Sequence, residues 1–236
     1  MKQIPLAIGP EPMPTFDNFV PGVNGAALQH LRTLVLPAAP VYLWGPAGSG
    51  KSHLLHALVA QCQAAGSVVA WFDALDRRPW TLAPGAALAV IDRCERLDAR
   101  AQHAAFALFV EAATHGVQLV AAGRLPPVDL PLRDDLRTRL AWGHVFALEP
   151  LAEAETRAVL RREADHRGIF LSDEVMDHLL TRFERDLSHL MRLLDRLDHF
   201  ALAKGRPVTV PLLRQMLVEE GVETPDEPVA PALQGR

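Results

Sequence analysis

Apolar residues recur along this chain with two different periods, and the change from one to the other falls near Pro150. Ahead of it, short β-branched or apolar runs bounded by breakers predict buried strands over 41–44, 68–72, 86–91, 117–122 and 145–148. Helices are expected between them over 25–36, 52–65 and 100–115, the last with Phe106, Phe109 and Val110 on one face. Alternating strands and helices predict an α/β domain with a five-stranded parallel sheet, flanked by helices, and ligands outside the carboxyl ends of the strands. Beyond Pro150 the strand pattern stops, and apolar residues at helical spacing predict helices over 153–167, 172–184, 186–204 and 210–219. Ser172 and Asp186 are plausible N-caps, and Gly168 and Gly205 plausible stops. The expected organisation is an α/β domain over 15–150, a small all-helical domain over 151–220, and two proline-rich, disordered flanks, 1–14 and 221–236.

The chemistry is concentrated at one junction. Between the first strand and the helix behind it stands Gly45-Pro46-Ala47-Gly48-Ser49-Gly50-Lys51-Ser52. This is the G-x-x-x-x-G-K-[ST] phosphate-binding pattern in the strand–loop–helix context that it requires. Glycines let successive N–H groups turn inward at a polyphosphate, and the helix N-terminus adds partial positive charge. Lys51 is then placed for the β- and γ-phosphates and Ser52 for Mg²⁺. The third strand ends Leu88-Ala89-Val90-Ile91-Asp92, which sets a carboxylate at its C-terminal edge to hold the water shell of that Mg²⁺. ATPases of this type usually follow that aspartate with a second acid, but here Arg93 follows, and Glu95 is the nearest carboxylate. Upstream, the segment Thr15 to Asn24 carries Phe16 and Phe19. With Val20, Phe19 can line a slot for an adenine ring or belong to the core. Arg133, Arg137 and Arg139, within RDDLRTRLAWG, read either as a solvated helix face or as guanidiniums reaching for a phosphate. Near the start, Gln3 precedes alternating apolar residues Ile4, Leu6 and Ile8, the pattern of a disordered leader or of an extended peptide that docks in a partner's groove.

Composition narrows the setting. Of 236 residues, 49% are apolar and 22% charged, as in a globular protein, and the net charge of −4 argues against a protein that coats nucleic acid. A local basic patch remains open. Cys62 and Cys94 are far apart and form no metal-binding or disulfide pattern, which fits a reducing cytosol. No signal peptide or apolar run of about 18 residues is present, so a cytoplasmic protein without a membrane partner is expected.

A phosphate-loop α/β domain followed by a small helical lid resembles the AAA+ P-loop NTPases. TFDNFVPGVN resembles the segment that opens the nucleotide-binding domain of the replication initiator DnaA, and RLAWG the motif that carries DnaA's arginine finger. A short DnaA-like chain with a leading glutamine-apolar peptide is similar to the Hda family, regulatory inactivators of DnaA. That resemblance implies an ADP-bound (or ATP-bound) protein attached to the DNA-loaded β sliding clamp of DNA polymerase III through Gln3, Leu6 and Ile8. It would stimulate hydrolysis of DnaA-bound ATP with Arg139 as an arginine finger in trans. DNA would be touched indirectly, through the clamp, at the replisome, and association between copies of the chain is left open. Three positions depart from the pattern. Arg93 replaces the second acid, Gly123 ends the fourth strand without a γ-phosphate-sensing polar residue, and Ser188 replaces the lid arginine, with Arg185 and Arg192 on neighbouring turns. Each removes stabilisation of a γ-phosphate, so little intrinsic ATPase is expected. Two other readings are a stand-alone AAA+ ATPase, such as a loader or remodeller, and a non-catalytic adaptor between the clamp and DnaA. A DNA-binding initiator is disfavoured by the negative charge.

Overall fold

Along the inner strands, residues alternate between two buried faces, the mark of a parallel sheet covered on both sides. In the computed structural model, which describes residues 13–183 and 186–220, β1 (Val41–Trp44), β2 (Val68–Phe72), β3 (Ala86–Ile91), β4 (Gln118–Gly123) and β5 (His144–Ala147) form one sheet in the order β2-β3-β4-β1-β5. All four pairings are parallel. Val41, Leu43, Leu88, Val90, Val120 and Ala122 face a core completed by α1 (Gly25–Arg32) and α2 (Lys51–Ala64). Their neighbours Tyr42, Ala89, Ile91, Leu119 and Ala121 face the opposite core, built from α3 (Ala99–His115) and α4 (Asp134–Ala141). The phosphate-binding pattern therefore opens at the carboxyl end of β1, a central strand.

Helix boundaries follow local chemistry. The Asp98 carboxylate accepts a hydrogen bond from the Ala101 N–H and caps α3, which ends at Gly116 in the left-handed conformation. The expected helix over 25–36 stops at Arg32, because the Thr33 hydroxyl donates back to the Gln29 carbonyl at 2.8 Å and Leu34 and Leu36 turn inward onto the core. On α3 the expected single apolar face is divided: Phe109 is buried, whereas Val110 is 43% exposed. The segment between β2 and β3 carries no regular element, yet it delivers Trp80 into the core, stacked on Phe72.

The described residues divide into two compact units at residues 151 and 152. The second consists of α5 (Glu153–His166), α6 (Asp173–Arg182), α7 (Leu187–Lys204) and α8 (Val210–Glu219) around a core of Leu160, Val175, Leu179, Leu194, Leu213 and Met216. Ser172, Asp186 and Thr209 cap its last three helices, and Gly205 closes α7 at φ +61°. Among the described residues no helix is long and apolar enough to cross a membrane.

Candidate functional site

The loop leaves β1 through glycines at φ +153° (Gly45), +77° (Gly48) and +89° (Gly50). Gly50 is required twice over: its φ is left-handed, and a Cβ there would stand 2.6 Å from Phe19 Cε2. As N-cap of α2 it offers no side chain to the first helical N–H groups, which leaves them and the helix dipole facing the loop as an anion seat. The Lys51 ammonium folds back over this concavity and donates to the carbonyls of Gly45 (2.8 Å) and Pro46 (2.7 Å) and to the Ser49 hydroxyl (3.1 Å). Phosphate oxygens can replace such acceptors, and the absence of a Cβ at Gly45 and Gly50 lets the loop pack directly on the Leu148 carbonyl and the Phe19 ring. The Ser52 hydroxyl donates to Asp92 Oδ2 at 2.9 Å, so two residues 40 positions apart meet at the edge of the sheet.

Phe19 lies in the core beneath Gly50, with the His53 ring 5.3 Å away, while Val20 is half-buried beside it. The segment is held from both ends. His53 Nε2 donates to the Thr15 carbonyl at 2.9 Å, and the buried Asn24 amide exchanges hydrogen bonds with the Glu149 backbone at 2.8 and 2.9 Å. Burial pushes the pKa of His53 down, towards the neutral ring.

Arg93, following Asp92, is the one non-glycine residue with positive φ among those described, at +56°. This conformation lets its N–H donate to Asp92 Oδ1 at 2.8 Å and turns its guanidinium onto Asp73, with Nε 2.6 Å from Oδ2. Glu95 is committed elsewhere: it accepts from the Arg124 N–H at 3.1 Å and pairs with the Arg124 guanidinium. At Gly123 the space a side chain would take is filled by the Tyr42 hydroxyl, which donates to the Leu125 carbonyl at 2.9 Å.

The three arginines around α4 separate by their partners. Arg133 bonds Asp135 at 2.6 Å, and Arg137 is paired with Asp134. Arg139, on the last turn, has no carboxylate partner among the described residues; its guanidinium lies over the Phe106 ring at 4.9 Å. Trp142, at the end of the same helix, is 78% exposed.

Gly45 to Ser52, Asp92 and Phe19 are thus brought together, whereas Arg139, on α4, lies over the Phe106 ring of α3. Gln3, Leu6, Ile8 and Arg185 lie outside the described residues. Ser188 and Arg192 are exposed on the first turns of α7. Three residues that matter here escaped the sequence reading as site residues: Asp73, Asn24 and Phe106. Asp73 had a usable signal, since it ends an apolar strand as Asp92 does. No cluster of three or more His, Cys, Asp or Glu among the described residues is placed to hold a metal ion.

Residues 153–217 match the family described as "Hda, lid domain". The fold is similar to that of domain III of the replication initiation protein DnaA from Thermotoga maritima, with a TM-score of 0.69 and 21% identity over 88% of this chain and 98% of that one. AMPPCP-bound DnaA from Aquifex aeolicus gives 0.60 and 20% over 77% and 64%. A Thermotoga maritima RuvB mutant gives 0.62 and 18% over 89% and 74%.

Proposed function

We propose, from the match of residues 153–217 to the Hda lid and the similarity of the fold to DnaA domain III, that the chain is a negative regulator of replication initiation. It holds ADP (or ATP) on its own loop, attaches to the DNA-loaded β sliding clamp, and stimulates hydrolysis of the ATP bound to DnaA. The observation that carries this reading is the state of Arg139. Its neighbours Arg133 and Arg137 are neutralised by aspartates, whereas Arg139 lies over the Phe106 ring with no carboxylate partner among the described residues. A guanidinium presented in that way can donate two N–H groups to the oxygens of a γ-phosphoryl held by another subunit as charge develops there. Such a finger supplied in trans contributes about 10³–10⁵ in rate. Exposed Trp142, near Arg139, offers the apolar anchor that an interface of this kind needs.

The chain's own site is arranged to hold rather than to cleave. Backbone N–H groups within residues 47–52 and the Lys51 ammonium bind the phosphates, and Val20 with the ring of Phe19 borders the base. Ser52 and Asp92 are the pair that would hold Mg²⁺, which when bound supplies charge neutralisation at the phosphates. Arg93 cannot accept a proton from water, and Glu95 is tied to Arg124, which supports a low intrinsic ATPase. Gln3, Leu6 and Ile8 supply the clamp-binding peptide in this reading, and contact with DNA is indirect.

The test is hydrolysis of DnaA-bound ATP with clamp loaded on DNA, with and without this protein. Stimulation that appears only with the loaded clamp, and is lost when Gln3 and Leu6 are replaced by alanine, is the expected result. Equal stimulation without clamp removes the role given to the peptide, and no stimulation in any arm removes the proposal.

A further inference from the structure

The carboxyl ends of β2 and β3 bring two buried carboxylates side by side: Phe72 is in register with Ile91, so Asp73 and Asp92 follow as neighbours. Two such groups repel each other and any polyphosphate nearby, and a divalent cation is the ordinary remedy. Here the remedy is built into the chain. The left-handed backbone of Arg93 directs its N–H to Asp92 and its guanidinium to Asp73, with Nε and Nη2 both on Oδ2. The side chain remains 43% exposed, so the rest of the guanidinium faces solvent. The hydrogen bond to Asp73 holds it firmly in the charged form. The third carboxylate nearby, Glu95, carries Arg124.

Asp92 is therefore the one member of the three with no ion pair to a guanidinium among the described residues, and both its oxygens already accept, from Ser52 and from the Arg93 N–H. Mg²⁺ keeps several waters, whose protons need acceptors. A guanidinium offers donors only. In the corner beside the loop a guanidinium thus already occupies the second carboxylate, Asp73, where a hydrated cation would need a free acceptor.

From this geometry we infer that Arg93 takes over part of the electrostatic role of a divalent cation, so that a nucleoside diphosphate is retained on residues 45–52 almost independently of Mg²⁺. This rests on the nucleotide-binding reading above. A lysine at position 93 preserves the effect, and a neutral residue there makes retention depend on the metal.

The experiment is titration of the purified full-length protein with a fluorescent ADP analogue, in Mg²⁺ and in chelator. For the native chain the two affinities are expected to agree within about threefold; for R93Q, which keeps an amide for Asp73 but no charge, the ratio should widen to about tenfold, with R93K returning it to the native value. A native chain that loses more than about tenfold in chelator overturns the inference and leaves the nucleotide reading standing. An unchanged ratio in folded R93Q, checked by circular dichroism, also overturns it. The native comparison decides by itself if R93Q does not fold. Absence of binding in both buffers removes the nucleotide reading, and this inference with it.

Discussion

At the scale of single residues, function in this molecule depends on which charges are already spent. Of the three arginines around α4, Arg133 and Arg137 are each paired with an aspartate, and Arg139 has no carboxylate partner among the described residues. Spacing within RDDLRTRLAWG cannot make that distinction, because the three side chains differ only in what the fold sets opposite them. Histidines give a second residue-scale consequence. His30, on α1, packs 4.4 Å from the His144 ring of β5, and its Nε2 is buried with no hydrogen-bond partner among the described residues. Burial first, and then His144, pull its pKa below the ordinary value of about 6.5. The unfolded chain thus binds the proton more readily than the folded one. Its contribution to stability is complete above that value and is lost as pH falls below it. Thermal unfolding of the native chain between neutral and mildly acid pH should show that loss, and His30→Leu should make the same decline shallower. An unchanged slope in the variant contradicts the assignment.

At the scale of elements, the turn from α4 into β5 sets the position of Arg139. A Cβ on Gly143 would overlap the Pro40 carbonyl oxygen, which accepts from the His144 N–H at 2.8 Å and so starts the pairing of β5 with β1. Gly143→Ala should cost about 2 kcal/mol in a denaturant melt. It should also weaken the stimulation of DnaA although no charged group is altered; native stability would show that the turn has room. Most of this level was legible in the chain. All five strands lie within a residue of the stretches that apolar runs mark, because the inner strands β1, β3 and β4 are buried on both faces, the exposed edge strand β5 still carries Val145 and Phe146, and the signal is local. The same holds for Ser172, Asp186 and Gly205, whose capping acts within one turn. Non-local features were not legible. Trp80 reaches the core from a segment without periodicity, Phe106 becomes a platform only when α4 is laid beside it, and Asp73 acquires its role only in register with Asp92.

At the scale of the whole molecule there are two compact units, an α/β layer structure and a helical one whose residues 153–217 match the Hda lid. In the proposed function the loop motif holds a nucleotide. Its surroundings, with Arg93 on Asp73, Glu95 on Arg124 and Tyr42 filling the space at Gly123, support a nucleotide that is kept rather than turned over. Catalysis in this account is therefore exported through one guanidinium to a phosphate bound by another protein. Arg139→Ala tests this most directly, because Arg139 has no ion pair among the described residues whose loss would disturb the fold. The measurement is the rate of DnaA-bound ATP hydrolysis in the presence of clamp loaded on DNA, with retention of the variant on that clamp followed in parallel. The account predicts undiminished retention on the clamp and a fall in stimulated hydrolysis of about a thousandfold or to the unstimulated rate. Full stimulation by the variant would contradict it and leave the chain as an adaptor.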